Sequence, residues 1–311
     1  MGGIRFHPDS SGYADFNIIA VSGQKMEKIK KKAHAKINLT LKITGRREDG
    51  YHELDMIFLE LELSDDIEIK KTPEGIRLTC SDVSLPTDEG NLAYRAARLM
   101  MQEYGIGNGV DITIEKRIPA QAGLGGGSSN AACVLKCMNE LFELNRSDEE
   151  LEKLAVRLGA DVPFFIKGGL ARAKGIGEEL EDLGVFPEWP ILIVKPDISV
   201  STPWAYRAFD EMKKTDAPVD PEAALMALRS GSIGKLAEVL GNDLEAPVIR
   251  EFPVIGEIKK KMTDHGAAAA MMTGSGSAVF GLFDSMEKAA ACAAAMEEVS
   301  FITKGVDRVQ V

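Results

Sequence analysis

Between Lys116 and Ala132 the chain reads KRIPAQAGLGGGSSNAA, and no other stretch restricts its folding as strongly. Gly123, Gly125, Gly126 and Gly127 lead into Ser128 and Ser129. Beyond them Ala131, Val134, Leu135, Met138, Leu141 and Phe142 recur three and four apart, the period of an amphipathic helix. Upstream, Val110 to Glu115 alternates apolar and polar residues, as a strand does. Glycine allows positive φ and close approach of the backbone to a ligand, and Ser128 or Ser129 is the expected N-cap. A helix start with free N–H groups and the positive end of its dipole is a seat for phosphate. Four glycines in five positions would also suit a plain flexible connection, but the immediate helix favours the phosphate seat. Neither G-x-x-x-x-G-K-[ST] nor the motifs of protein kinases occur. A nucleotide here would be held by backbone, without a loop lysine.

With 311 residues the chain has room for two domains with cores of their own. A net charge of −11 excludes a general nucleic-acid binder. The local basic run Lys25, Lys28, Lys30, Lys31 and Lys32 reads as a solvated stretch ahead of the first strand. Cys80, Cys133, Cys137 and Cys292 are as dispersed as His7, His34, His52 and His265, so no zinc pattern forms. Scattered thiols suit a reducing cytoplasm, the expected location. No apolar run is long enough to span a bilayer. Residues 1–25 carry Asp9 and Asp15 and lack an unbroken apolar core, which fits neither a secretion signal nor a transit peptide. The folded part is expected to begin near Met26, behind a weakly ordered leader.

Strands are expected at 33–44, 51–63, 67–71 and 76–80, with the Asp49-Gly50 turn between the first two. Helices are expected at 91–104 and 147–158, the latter opened by a Ser147/Glu150 capping box. Strands follow at 170–174 and 191–195, and residues 196–204 read as a loop. Helices at 221–229, 233–240 and 252–264 precede a strand–loop–strand unit, 268–273 and 278–283. A helix over 286–299 and a strand over 305–311 close the chain. Separate helices and antiparallel-looking strands make this an α+β chain.

Four segments in this order, AKINLTLKITGRREDGYHEL (35–54), KRIPAQAGLGGGSSNAA (116–132), GADVPFF (159–165) and MMTGSGSAVFGLF (271–283), resemble the GHMP kinase superfamily. The likeness runs from about Ala33 to the C-terminus. It implies a two-domain fold, a ribosomal-protein-S5-like half over 26–175 and a ferredoxin-like half over 176–311, with the active site between them. It further implies ATP-dependent phosphorylation of a small-molecule alcohol, with Mg²⁺. DGYHEL and GADVPFF point to the branch whose substrate is a cytidine-diphosphate-linked methylerythritol, phosphorylated at its 2-hydroxyl. Other members, acting on homoserine, mevalonate or a sugar, and a catalytically silent nucleotide binder are the rivals.

The resemblance assigns roles residue by residue. Asp161 is the expected general base, where residue type alone would also allow an N-cap or a structural ion pair. Lys36 is its implied partner, although a lysine alternating with apolar neighbours is usually just solvent-facing. Asn38 shares the Lys36 face of its strand. Pro119, Ala120, Gln121, Ala122, Gly123, Leu124, Gly125, Gly126, Gly127, Ser128 and Ser129 would hold ATP. Tyr51, His52 and Tyr206 would hold the cytosine ring by stacking and edge contacts, with Trp204 competing for the place of Tyr206. Thr202, Gly274, Ser275 and Gly276 complete the substrate side, the last three bordering phosphates or bracing the first glycine loop. No Mg²⁺ ligand and no oligomeric state is legible.

Overall fold

The computed structural model describes residues 26–212 and 219–306. The expected leader and most of the 305–311 strand lie outside the described residues. The first strand, β1 (Lys28–Arg46), starts earlier than its alternation suggested. It absorbs most of the basic run, whose lysines face acids: Lys28–Glu68 at 3.6 Å, Lys30–Asp66 at 3.3 Å and Lys31–Glu140 at 2.6 Å. The pairs with Glu68 and Asp66 of β2 run across the ladder and extend it where apolar alternation alone would end it, and Glu140 reaches Lys31 from α2. The reading of that run as a solvated stretch ahead of the strand is thereby corrected.

The next strand, β2 (His52–Thr72), is continuous where the sequence suggested two. Ser64-Asp65-Asp66 separates the two expected strands, but Asp65 is fully buried. Its carboxylate accepts the N–H groups of Arg117 (2.7 Å) and Ile118 (2.8 Å), the Lys116 ammonium (2.5 Å) and the Asn130 amide (2.8 Å). Each of its lone pairs is satisfied, so the strand runs through.

Five further strands join them among the described residues: β3 (Ile76–Cys80), β4 (Gly109–Glu115), β5 (Leu170–Gly175), β6 (Glu179–Gly184) and β8 (Gly241–Asn242). The order is β3-β4-β2-β1-β8, with β5 on β2 and β6 on β5. The charged β6 (ELEDLG) carried no alternation to announce it. A second sheet, ordered β11-β7-β10-β9, consists of β7 (Ile191–Lys195), β9 (Ala269–Met272), β10 (Val279–Leu282) and β11 (Val299–Thr303).

Helices α1 (Leu92–Tyr104), α2 (Gly126–Leu141), α3 (Asp148–Val156) and α4 (Phe164–Lys167) belong to the first part of the chain. The later ones are α5 (Thr202–Glu211), α6 (Pro221–Arg229), α7 (Ile233–Val239), α8 (Glu245–Glu251), α9 (Val254–Asp264) and α10 (Met286–Ala295). The α+β architecture is as expected. Helix α5 starts inside the last residues of the expected loop because Pro203 sits in its first turn, where proline initiates rather than breaks a helix. Helix α10 stops at Ala295, and Val299 opens β11 instead of ending the helix: Met296 is already extended. The β-branched and aromatic run Val-Ser-Phe-Ile-Thr pairs with β7.

One apolar cluster is shared by both sheets. Ile37, Leu39 and Leu59 from the first and Ile193, Phe280 and Leu282 from the second are all buried in it, with Ala224 and Leu236 from α6 and α7. The cleft described below therefore lies between parts held by a common core. Ser147 caps α3 in the expected box: its hydroxyl accepts from Glu150 N–H and Glu150 returns the bond to the Ser147 N–H. Ser147→Ala is expected to cost about 1 kcal/mol, read as a lower denaturant midpoint with an unchanged slope.

Candidate active site

Strand β1 presents Ala35, Ile37 and Leu39 to the shared core and Lys36 and Asn38 to the other side. Register shifts at His34/Lys36 and Asn38/Thr40 bracket this segment. Such bulges free backbone groups from the ladder and re-aim side chains. Lys36 N–H donates to the Leu124 carbonyl (3.0 Å), and Asn38 N–H donates to the Thr273 hydroxyl (3.0 Å). The strand thus holds the glycine loop and the 274–276 turn with its own amides.

Lys36 is 3% exposed. Its ammonium donates to Asn38 Oδ1 (2.6 Å), lies 3.7 Å from Asp161 Oδ2 and sits 4.9 Å from the centre of the Phe58 ring. Burial holds this ammonium below its ordinary pKa, while the Asp161 charge pulls the other way. Asp161 precedes α4 in a turn closed by Val162 N–H on the Gly159 carbonyl. Lysine 136 reaches from α2 to the carbonyls of Phe165 (2.9 Å) and Ile166 (3.2 Å), fixing α4 against the glycine helix.

The helix start differs from the expected one. α2 begins at Gly126, its N-cap is Gly125 in the left-handed region (φ 69°), and no side chain caps it. Ser128 and Ser129 fall in the first turn. A methyl on Gly125 would come within 2.7 Å of the Phe165 ring and 3.1 Å of Lys36 Cγ, which leaves no room for a capping side chain. The opening N–H groups of α2 therefore have no side-chain acceptor of their own, the condition under which a helix N-terminus binds anions.

The 274–276 turn packs against the first glycine loop. Ala278 N–H donates to the Ala122 carbonyl (3.1 Å), and a methyl on Gly274 would stand 3.1 Å from the Gly123 carbonyl oxygen. Asn242, which sequence reasoning missed, braces this turn by donating to the carbonyls of Met272 (2.9 Å) and Gly274 (2.8 Å). Thr202 and Ser275 share a hydroxyl–hydroxyl bond of 2.8 Å.

Lys36, Asn38, Tyr51, His52, residues 119–128, Asp161, Thr202, Tyr206 and residues 274–276 all line one cleft of about 1110 Å³. Ser129 does not; it is buried under the helix start. Trp204 also lies outside the lining and packs edge-on to Phe252 at 5.7 Å, leaving Tyr206 as the aromatic that faces the cleft. The Tyr206 ring stacks on His52 (4.8 Å between centroids, 22° between planes), and burial together with the nearby Asp161 charge raises its phenol pKa. Tyr51 is largely exposed at the rim.

Lys116, Asn130, Arg46, Arg207 and Asp210 line the cleft as well and were missed. Asp210 had one available signal: it stands four residues after Tyr206, hence on the same helix face. The expected loop ended at Trp204 and no element was assigned to the residues after it, which hid the shared face.

A glycine loop feeding an open helix start, a buried lysine against a carboxylate and a second glycine turn behind them define a small-molecule kinase site of the GHMP class. Residues 91–169 match the GHMP kinases N terminal domain and residues 224–300 the GHMP kinases C terminal. The 4-diphosphocytidyl-2-C-methyl-D-erythritol kinase of Clostridium beijerinckii is 47% identical over 85% of this chain and 94% of its own. That of Acetivibrio thermocellus is 45% identical over 85% and 93%. A crystal structure of 4-(cytidine 5'-diphospho)-2C-methyl-D-erythritol kinase superposes with a TM-score of 0.78 at 38% identity, covering 90% of this chain and all of the other. The chain belongs to this family of GHMP kinases.

Proposed function

We propose that the chain transfers the γ-phosphoryl group of ATP to the 2-hydroxyl of 4-diphosphocytidyl-2-C-methyl-D-erythritol, a step of non-mevalonate isoprenoid precursor synthesis. The observation that carries this reading is the Lys36–Asp161 pair, 3.7 Å apart in the cleft into which the uncapped start of α2 opens. Phosphates on the helix start would place the γ-phosphorus towards that pair. Asp161 would accept the proton of the attacking hydroxyl, and Lys36 would stabilise negative charge on the incoming oxygen and on the carboxylate. Catalysis of this kind is mostly positioning and charge stabilisation. Tyr51, His52 and Tyr206 form the aromatic end of the cleft, which suits a nucleobase.

Among the described residues, no group of three or more His, Cys, Asp or Glu side chains could hold a metal ion. Mg²⁺ would come with its nucleotide, held largely by phosphate oxygens and water. All four cysteines are free, which supports the cytoplasmic placement. No helix among the described residues is long and apolar enough to cross a membrane.

The deciding test is ADP release from MgATP with the cytidyl alcohol, homoserine and mevalonate in parallel. Turnover with the cytidyl alcohol alone is the expected result. Turnover with homoserine or mevalonate instead would refute the substrate assignment. ATP binding without turnover of any would favour a silent binder.

A further inference from the structure

We propose that Asp210 sets the base specificity of the cleft, by holding His52 in the tautomer whose Nδ1 accepts a hydrogen bond, so that a cytosine is taken and a uracil refused. The inference rests on the cytidyl reading above. Asp210 lies on α5, one helical turn after Tyr206. Its Oδ1 is 2.8 Å from His52 Nε2, and its Oδ2 is 3.4 Å from the Arg46 guanidinium. An ionised carboxylate only accepts hydrogen bonds, so Nε2 must carry the proton. Arg46 occupies the other oxygen, which leaves Oδ1 to His52.

A neutral imidazole has a single N–H. With Nε2–H committed to Asp210, Nδ1 is left with a lone pair, and among the described residues no hydrogen bond to the protein engages it. The ring has little freedom to turn: one face stacks on Tyr206, and the side chain is 9% exposed. His52 and Asp210 both line the cleft.

The remaining acceptor discriminates between pyrimidines by chemistry alone. Cytosine carries an amino donor at its 4-position, which a bare ring nitrogen can accept. Uracil carries an oxygen there and would set two lone pairs against each other. A site built around one hydrogen bond rejects the analogue that cannot make it, because a buried polar group is then left unpaired. Asp210 is a positioning residue in this scheme: it acts on the base through His52.

Titration calorimetry on the full chain, saturated with a non-hydrolysable ATP analogue to occupy the glycine loop, tests this with CDP and UDP as probes. The wild type is expected to prefer CDP by about tenfold or more. Asp210→Ala should bring the two within about threefold, while the affinity for the ATP analogue shows that the variant is folded. Asp210→Asn, whose amide offers His52 either an oxygen or a nitrogen, should fall between. Equal weakening of CDP and UDP in Asp210→Ala, an unchanged preference, or a wild type without preference would each overturn the inference. Binding needs no turnover. A protein that separates CDP from UDP through Asp210 but does not phosphorylate the cytidyl alcohol would keep this inference and lose the proposed activity.

Discussion

Replacing Asp161 by asparagine is expected to lower kcat by ~10²–10⁴-fold, the range a general base contributes, with KM for ATP moving by less than about threefold. The asparagine amide is nearly isosteric and keeps the turn at residues 159–162, so a folding defect would not explain the loss. What it removes is the ability to take a proton and the negative charge 3.7 Å from the Lys36 ammonium. Rapid-quench measurement of the phosphoryl-transfer step separates chemistry from product release. Retention of more than about a tenth of wild-type kcat would show that the hydroxyl is deprotonated without Asp161.

The same pair fixes a pH dependence. Lys36 is useful as a cation, and burial lowers its pKa more than Asp161 raises it. A lowered pKa means the proton is lost at a pH below the ordinary lysine range. The alkaline limb of kcat/KM should therefore begin below that range, with activity present on its acid side. Lys36→Met keeps most of the side chain's volume and removes the charge, so that limb should vanish along with most of the activity.

What could be read in the sequence follows from where the information is local. The order strand–glycine loop–helix, the capping box at Ser147 and the 268–283 hairpin are specified by neighbours in the chain and are found as expected, the N-cap of α2 excepted. Lys36 and Asp161 were paired by resemblance alone, since 125 positions of chain separate them and no spacing rule reaches that far. The misses share one cause. Residues 64–66 separated two expected strands, and only the four donors that meet Asp65 in three dimensions, from Lys116, Arg117, Ile118 and Asn130, carry the strand through. The serines after the glycines looked like caps until Phe165 and Lys36 closed the space around Gly125. Asp210 meets His52 across 158 positions, and its helix was concealed by a proline with two opposite local meanings. Tertiary partners decided each case, and a single sequence does not display them.

Gly123 is the position where the two glycine motifs depend on each other most. Its φ of 76° is in the left-handed region, and a methyl there would overlap the Thr273 carbonyl oxygen and stand 3.2 Å from Gly276 N. Both neighbours are backbone, so no side-chain rotation relieves the overlap. Gly123→Ala must therefore shift the loop off the 274–276 turn, in addition to the strain of an L-residue at positive φ. The expected cost is roughly 2–5 kcal/mol of stability. The loop that remains should bind ATP at least about tenfold more weakly, because Ala122 can no longer meet Ala278 and the backbone around the start of α2 is displaced. Gly127→Ala is the matched control for stability. Gly127 lies within the first turn of α2, is not at positive φ, and its methyl would meet nothing closer than Leu92 Cδ1 at 3.8 Å. In a helix that change is worth about 0.5–1 kcal/mol in the stabilising direction. Chemical denaturation of both variants, with ATP-analogue titration of Gly123→Ala, decides the matter. A Gly123→Ala protein as stable as Gly127→Ala and with wild-type ATP affinity would mean that the contact between the two glycine turns holds nothing in place.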